Sequence, residues 1–557
     1  MLLVQKVSLL LKNKKNVWAL IIAFFVIIGF LIDFFSFRQG IDFGDGSTFY
    51  SFGHNLLHGE SIYKDFIHFR TPGSYFIDAF FLWIAGDTYA TTKFALGFES
   101  QVLFPFIFLL ALGFFLRFKR PVIGFITGGL IIFLPAFAQL RSAFALLAVV
   151  FYIRSRTSKK KSRWLIASGI FLGLSFTFGQ EIAIAAIAAI GISEIVINFD
   201  KLRNIHKTIL PSLLKVAAGF CIGVAPLMVY VLVKSDIHNF LYYTLYYAFI
   251  LQPRSMDIPY PILKYENLVY YLCFVVYILA FFVSFVSKKR DWAFTILLGF
   301  VILRAITMLG RSDMGHLIFV LPEVFFVIIY SVTKFKDTII TKNVLIHFAP
   351  FVLAFIISIH LAIESSTFFI IFAVIVLFVA MRSRPGTYNF KTEQTVYTLL
   401  PYFALVAVLT LFVFFLYPNL KGVYNNMSKE GVSMTSINGV NVDPATLQQY
   451  SLVKKEVDTL SPEYIFSYPI QPYYYSLAPK HATRFMTFEL QTTIKEQREA
   501  IADLQKNKPS VVIFDPLQAK DLDGSVALIT AYIKQNYRIK KIVNVTRELW
   551  VMVPKET

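Results

Sequence analysis

Long apolar runs alternate with short basic stretches along most of the chain. The first run, Val17 to Phe37, is long enough at about 1.5 Å per residue to cross a bilayer. Comparable runs follow at 91–116, 121–137, 141–153, 164–179, 181–197, 209–232, 268–287, 292–309, 317–333, 344–362, 365–381 and 397–416. Together with 17–36 they predict a polytopic α-helical membrane protein of about thirteen spans. Tyr75 to Ala85 is apolar but short, and the pattern predicts a re-entrant or interfacial helix there. After Pro418 long apolar runs cease and charge rises, which divides the chain into a membrane domain at 1–417 and a small soluble α/β domain at 418–557. In the second part, helices are expected at Thr446–Leu460, Phe488–Lys506 and Ser525–Gln535. Strands are expected at Tyr464–Tyr468, Val511–Phe514, Ile539–Val543 and Leu549–Val553.

Composition agrees with the pattern: 57% of the 557 residues are hydrophobic, 16% are charged, and mean hydropathy is +0.63. The net charge of +19 raises the question of a nucleic-acid partner. Its location answers it. Basic residues cluster at Lys6–Lys15, Arg117–Arg120, Arg154–Arg163, Lys201–Lys207, Lys288–Arg290, Lys334–Lys342 and Arg382–Lys391, all short loops between apolar runs. A nucleic-acid surface would gather them on one folded face with interleaved aromatics. The positive-inside rule instead assigns all seven to the cytoplasm, with the N-terminus cytoplasmic and the C-terminal domain extracytoplasmic. The first run lacks a small-residue cleavage site and reads as a retained signal anchor. Two cysteines, Cys221 and Cys273, lie in apolar runs and form neither a disulfide framework nor a CxxC site.

This topology collects polar residues on one side: the first external loop (38–90), Pro135 to Arg141, Gln180-Glu181, Lys234 to Asn267, and Gly310 to His316. The stretch Ile41 to Ser74 is the densest. It carries Asp42 and Asp45 where the chain leaves the first span, then a short helix with Phe49, Phe52, Leu56 and Leu57 on one side. Tyr63-Lys64-Asp65 and Arg70-Thr71-Pro72-Gly73 follow. Tyr242, Tyr243, Tyr246 and Tyr247 suit an interfacial aromatic belt, with a lipid-tail groove as the alternative. Tyr473 to Tyr475 could stack on sugars or fill a half-buried domain contact. Glu99 and Glu323 fall inside spans without an evident partner, and intramembrane acids are functional candidates. Nothing resembles a P-loop or GxGxxG motif, so no nucleotide cofactor is expected.

The order Asp45, LLHGESIYKDF, RTPGSYFIDAFFLWIAG, polytopic body and external α/β tail resembles the GT-C superfamily of polyprenyl-phosphate-sugar-dependent glycosyltransferases. Within it the chain is most similar to the bacterial branch related to protein O-mannosyltransferases and the lipid A aminoarabinose transferase. The resemblance implies a bacterial plasma-membrane enzyme with a polyprenyl-phosphate sugar donor and a glycan, lipid or protein acceptor. It also implies that Asp45, in the first external loop, is the catalytic or metal-binding carboxylate. Many relatives carry paired acids there; here Gly46 follows Asp45, leaving Asp42 or Asp65 as the second carboxylate.

In such a transfer one carboxylate takes the acceptor proton, for which Asp45 is the candidate, and cations offset charge on the departing phosphate. Arg311, His316, Arg70, Arg141 and Arg254 are candidates for the phosphate. Tyr63, Lys64, Asp65, Glu181 and Asp313 complete the candidate set. Plainer readings stand beside these roles: Asp42 and Asp45 as helix caps, Arg311 and Asp313 as an ion pair, and Glu181 as a loop acid. Asp313 and His316 at helical spacing would make two ligands of a divalent metal, which is too few to define a site. A transporter or flippase of lipid-linked sugar, or another envelope-polysaccharide membrane protein, is the competing function. It would favour repeated halves and midplane charges, and no internal repeat is seen.

Overall fold

A computed structural model describes residues 13–132, 139–197, 209–251, 291–308, 320–334, 435–469 and 472–555. The expected spans at 268–287, 344–362, 365–381 and 397–416 lie outside the described residues, as do Arg254, Arg311, Asp313 and His316.

Helix α1 (Lys14–Ser36) starts where the Asn13 side chain accepts the Lys15 amide at 3.0 Å. Leu20, Phe24, Ile27, Leu31 and Phe35 form an exposed apolar stripe at helical spacing, while Trp18, Ile21, Phe25 and Gly29 are buried on the opposite side. Then come α2 (Asp45–Leu57), α3 (Gly73–Ala85), α4 (Tyr89–Phe115, with a π-helical segment at Phe98–Leu103) and α5 (Pro121–Ile132). Next are α6 (Leu140–Thr157), α7 (Lys161–Phe178), α8 (Gln180–Ile197) and α9 (Leu210–Lys234). Helix α10 (Ile237–Leu241) runs into a π-helix at Tyr242–Leu251, and α11 (Trp292–Met308) and α12 (Leu321–Lys334) follow. Among the described residues, α1, α4 and α9 are long and apolar enough to cross a membrane. At 13 residues α3 is about 20 Å long, short of the ~30 Å hydrocarbon core.

Helices α7 and α9 pack through small residues at four-residue spacing on both sides. A Cβ on Gly169 would sit 2.0 Å from the Val216 carbonyl oxygen, one on Gly173 2.5 Å from that of Phe220, and one on Gly223 2.2 Å from that of Ile170. Backbones this close leave no room for a methyl group, the arrangement that lets helices associate without a hydrophobic driving force. Gly223→Ala is therefore expected to cost about 1–3 kcal/mol, read as a lower melting temperature in detergent. Gly191→Ala should leave it unchanged, because a Cβ there meets nothing within 4 Å.

Beyond residue 434 the described chain forms a hairpin, β1 (Thr435–Ile437) and β2 (Val440–Val442), and a five-stranded mixed sheet. Asn438 and Gly439, both at positive φ, make the two-residue hairpin turn. Helix α13 (Pro444–Leu460) precedes β3 (Tyr464–Tyr468) and β4 (Lys480–His481). Then follow α14 (Ile494–Asn507), β5 (Val511–Phe514), α15 (Pro516–Asp521), α16 (Asp523–Asn536), β6 (Tyr537–Asn544) and β7 (Glu548–Pro554). The order is β4-β3-β5-β7-β6, with β3 parallel to β4 and β5, and β7 antiparallel to β5 and β6. Every residue of central β5 is buried, as a strand covered on both faces requires. The helix expected from Phe488 begins only at Ile494, since Phe488–Leu490 forms a 3-10 turn and Thr493 is extended. Buried Gln491, whose amide donates to the Phe485 carbonyl, holds that irregular stretch.

This sheet sits directly on the first loop. The Ile67 amide donates to the Arg484 carbonyl at 2.9 Å, Ser51 Oγ to that of Pro472 at 2.9 Å, and Asn441 exchanges backbone hydrogen bonds with Arg38 and Gly40. Phe43 stacks on Tyr474 at 5.5 Å, and Tyr473 packs edge-on to Phe43 and Tyr89. Tyr473, Tyr474 and Tyr475 are all buried, so domain packing rather than sugar stacking occupies these rings. The tyrosine run departs from the belt expectation in the same way. The Tyr242 hydroxyl donates to Glu496 at 3.0 Å, Tyr243 packs on Phe485, and the Tyr247 hydroxyl reaches Thr492 at 3.1 Å. Tyr242, Tyr243 and Tyr247 thus face protein rather than lipid headgroups, while Tyr246 stays exposed as a belt residue would.

Candidate active site

Helix α2 begins at Asp45, and its first turn needs acceptors for orphan amides. Asp42 supplies them: its two carboxylate oxygens accept the Gly44 and Gly46 amides at 2.8 and 2.7 Å. The plain capping reading thus holds for Asp42, whose backbone also exchanges hydrogen bonds with the Tyr89 hydroxyl at 3.1 Å. Asp45 is different. It is exposed, and its carboxylate has no hydrogen-bond or ion-pair partner among the described residues. Lys93 on α4 donates to the Gln39 and Gly40 carbonyls within electrostatic reach of Asp42.

One helical turn beyond Asp45 stands Phe49, and one turn beyond Lys93 stands Leu96; both line a cavity of about 290 Å³. Arg70, Thr71, Ser74, Tyr75, Glu99, Gln139 and Arg141 supply most of its other walls. Five separated segments meet there, Phe178 supplying the fifth. Arg141 pairs with Glu181, and its Nε donates to Gln139 Oε1 at 2.7 Å. Glu99 accepts from Ser74 Oγ at 2.9 Å, and buried Glu323 faces Arg304 at 3.4 Å, so both intramembrane acids have partners. Arg70 lies over the Phe69 ring, 5.3 Å from its centroid, with no acidic partner among the described residues.

The backbone around Arg70 is held from several sides. Gln180 accepts the Thr71 amide and hydroxyl, each at 3.2 Å, and donates to the Phe69 and Thr244 carbonyls at 2.8 and 3.1 Å. The Tyr63 hydroxyl donates to the Arg70 carbonyl at 2.6 Å, and His68 Nδ1 accepts the Arg70 amide at 3.1 Å. Burial and then the nearby Arg70 charge push the His68 pKa well below its ordinary value, so the ring is a neutral acceptor.

Of the candidates from sequence, Arg70, Arg141 and Glu181 converge on or beside this cavity, and Asp45 stands one turn from its wall. Tyr63 is fully buried against Phe240, which leaves its ring a supporting part rather than a substrate contact. Asp65 accepts the Ser61 amide at 2.8 Å within its own turn, and Lys64 is exposed beside it. Sequence reasoning missed Gln180, Gln139, His68, Ser74 and Lys93. Neutral polar residues at run ends carry no pattern; the one available signal was Gln180 beside Glu181 at a helix start.

Both Asp42 oxygens accept backbone amides, which leaves exposed Asp45 as the neighbouring carboxylate with no partner among the described residues; a Mg²⁺ held there would take its remaining ligands from waters and a substrate phosphate.

No protein-family model matches this sequence, and no curated sequence is similar to it. Among solved structures, the crystal structure of ArnT from Cupriavidus metallidurans bound to undecaprenyl phosphate is similar over 96% of this chain and 98% of that one. The TM-score is 0.46 and the identity 10%.

Proposed function

We propose that the protein is a membrane glycosyltransferase of GT-C type. It moves a sugar from a polyprenyl-phosphate donor to an acceptor hydroxyl on the non-cytoplasmic face. The observation that carries this reading is an exposed carboxylate, Asp45, with no partner among the described residues, one helical turn from the wall of a cavity lined by Arg70, which makes no salt bridge among them. Asp45 takes the proton of the acceptor hydroxyl as its oxygen bonds to the anomeric carbon. The bond from that carbon to the phosphate oxygen breaks, and the electron pair leaves with the lipid phosphate. Arg70, with Arg141 behind it, offsets the growing negative charge through a planar fork suited to phosphate. No nucleotide is required, because the lipid phosphate is itself the leaving group. Arg311, His316 and Arg254 are further phosphate contacts on sequence grounds.

Transfer and lipid flipping separate cleanly in vesicles. With a labelled polyprenyl-phosphate sugar in one leaflet, the reconstituted protein should leave its distribution unchanged without acceptor and consume it once acceptor is added. Redistribution of intact donor without consumption would instead assign the transporter reading.

A further inference from the structure

His54 in the last turn of α2 and His58 at its C-cap stand four residues apart, and both rings turn to the same neighbour. His54 Nδ1 lies 2.8 Å and His58 Nε2 2.9 Å from the same oxygen, Asp87 Oδ2. Asp87 comes from the turn between α3 and α4, set there by Gly86 at φ +102 and by Thr88, which caps α4. The three ligand atoms lie within 4.8 Å of one another. Asp87 Oδ1 is buried with no hydrogen-bond partner among the described residues. The side chains of His54, His58 and Asp87 are 32%, 58% and 28% exposed, so an ion reaches them from solvent.

We propose that His54, His58 and Asp87 form a three-ligand site for a divalent metal of the zinc class. Two imidazoles and one carboxylate suit Zn²⁺, which binds such nitrogens and oxygens at about 2.0–2.2 Å and leaves its fourth position to water. Ligands at that radius and a tetrahedral angle stand roughly 3.4 Å apart, so the two His–Asp87 distances open by about half an ångström to admit the ion while the two imidazole nitrogens, within 4.8 Å of each other, settle to the same separation. Carbonyl-rich oxygen cages favour Ca²⁺ or Mg²⁺, whereas paired imidazoles do not. The ion ties α2, which begins at Asp45, to the turn that begins α4, which carries Lys93. It acts by positioning these helices and touches no reacting atom. The site is independent of the role given to Asp45, since its ligands lie two to four turns further along α2 and in a separate loop.

The test uses full-length protein in detergent, stripped with a chelator and titrated with ZnCl₂ by calorimetry. One equivalent should bind, and X-ray absorption of the complex should show two imidazoles. His58→Ala should weaken binding at least about tenfold, as should Asp87→Asn. Because His58 is mostly exposed, the zinc-free melting curve of His58→Ala should match that of the wild type. Failure of the wild type to bind zinc would overturn the site. So would full affinity retained in both variants with loss in His481→Ala, which would move the ion to the Glu60–His481 pair, 2.9 Å apart.

Discussion

Asp45→Asn is expected to lower glycosyl transfer by about 10²–10⁴-fold while leaving the folded protein intact. The carboxamide keeps the size of the side chain but cannot take a proton, and at this exposed helix start it strands no partner among the described residues. Asp42 supplies the contrast. Its oxygens hold the Gly44 and Gly46 amides, so Asp42→Ala should cost about 1 kcal/mol of stability through loss of the cap, with the smaller effect on rate. Initial rates and melting curves of the two variants, side by side, check both statements. Near-normal turnover in Asp45→Asn would remove it as the base.

The second large effect concerns Arg70. Gln180, Tyr63 and His68 fix its backbone, and its guanidinium makes no salt bridge among the described residues, although Glu181, which pairs with Arg141, lies within its electrostatic reach. Arg70, Arg141 and Glu181 together leave a net positive charge at the cavity, which suits an anion, so Arg70→Ala should reduce turnover by about 10²–10³-fold. Arg70→Lys keeps the charge, loses the fork, and should recover only part of that loss. Arg141 is the less informative target. Removing it leaves half-buried Glu181 without its ion pair, a structural penalty that would obscure any effect on donor binding. Donor titrations that are unchanged in Arg70→Ala would contradict the assignment.

The long apolar helices were legible because crossing a bilayer imposes one requirement, length in apolar residues. The runs expected at 17–36, 91–116 and 209–232 meet the three helices that, among the described residues, are long and apolar enough to span a membrane. The first run was read as 17–36 and the helix spans Lys14–Ser36. Strands Tyr464–Tyr468 and Val511–Phe514 were legible too, as short β-branched and aromatic runs between polar turns. The cavity was legible only in part. Arg70 and Arg141 were visible as basic residues in polar stretches, but the contact that joins Thr71 to Gln180 spans 109 positions, and no local pattern reports it. Tyr242, Tyr243 and Tyr247 were not legible for the same reason: an amphipathic ring suits a lipid interface and a protein interface equally, and the contacts with Glu496, Phe485 and Thr492 are far off in sequence. The His54–His58 spacing was present in the sequence, while its third member, Asp87, depends on how α3 turns back into α4.

The most direct measurement incubates purified protein with a panel of polyprenyl-phosphate sugars and an acceptor mixture, and follows lipid phosphate. The account predicts release of lipid phosphate that depends on acceptor, equals the sugar transferred mole for mole, and is lost in Asp45→Asn. A wild-type protein that binds a lipid-phosphate sugar but releases no lipid phosphate with any acceptor would contradict it.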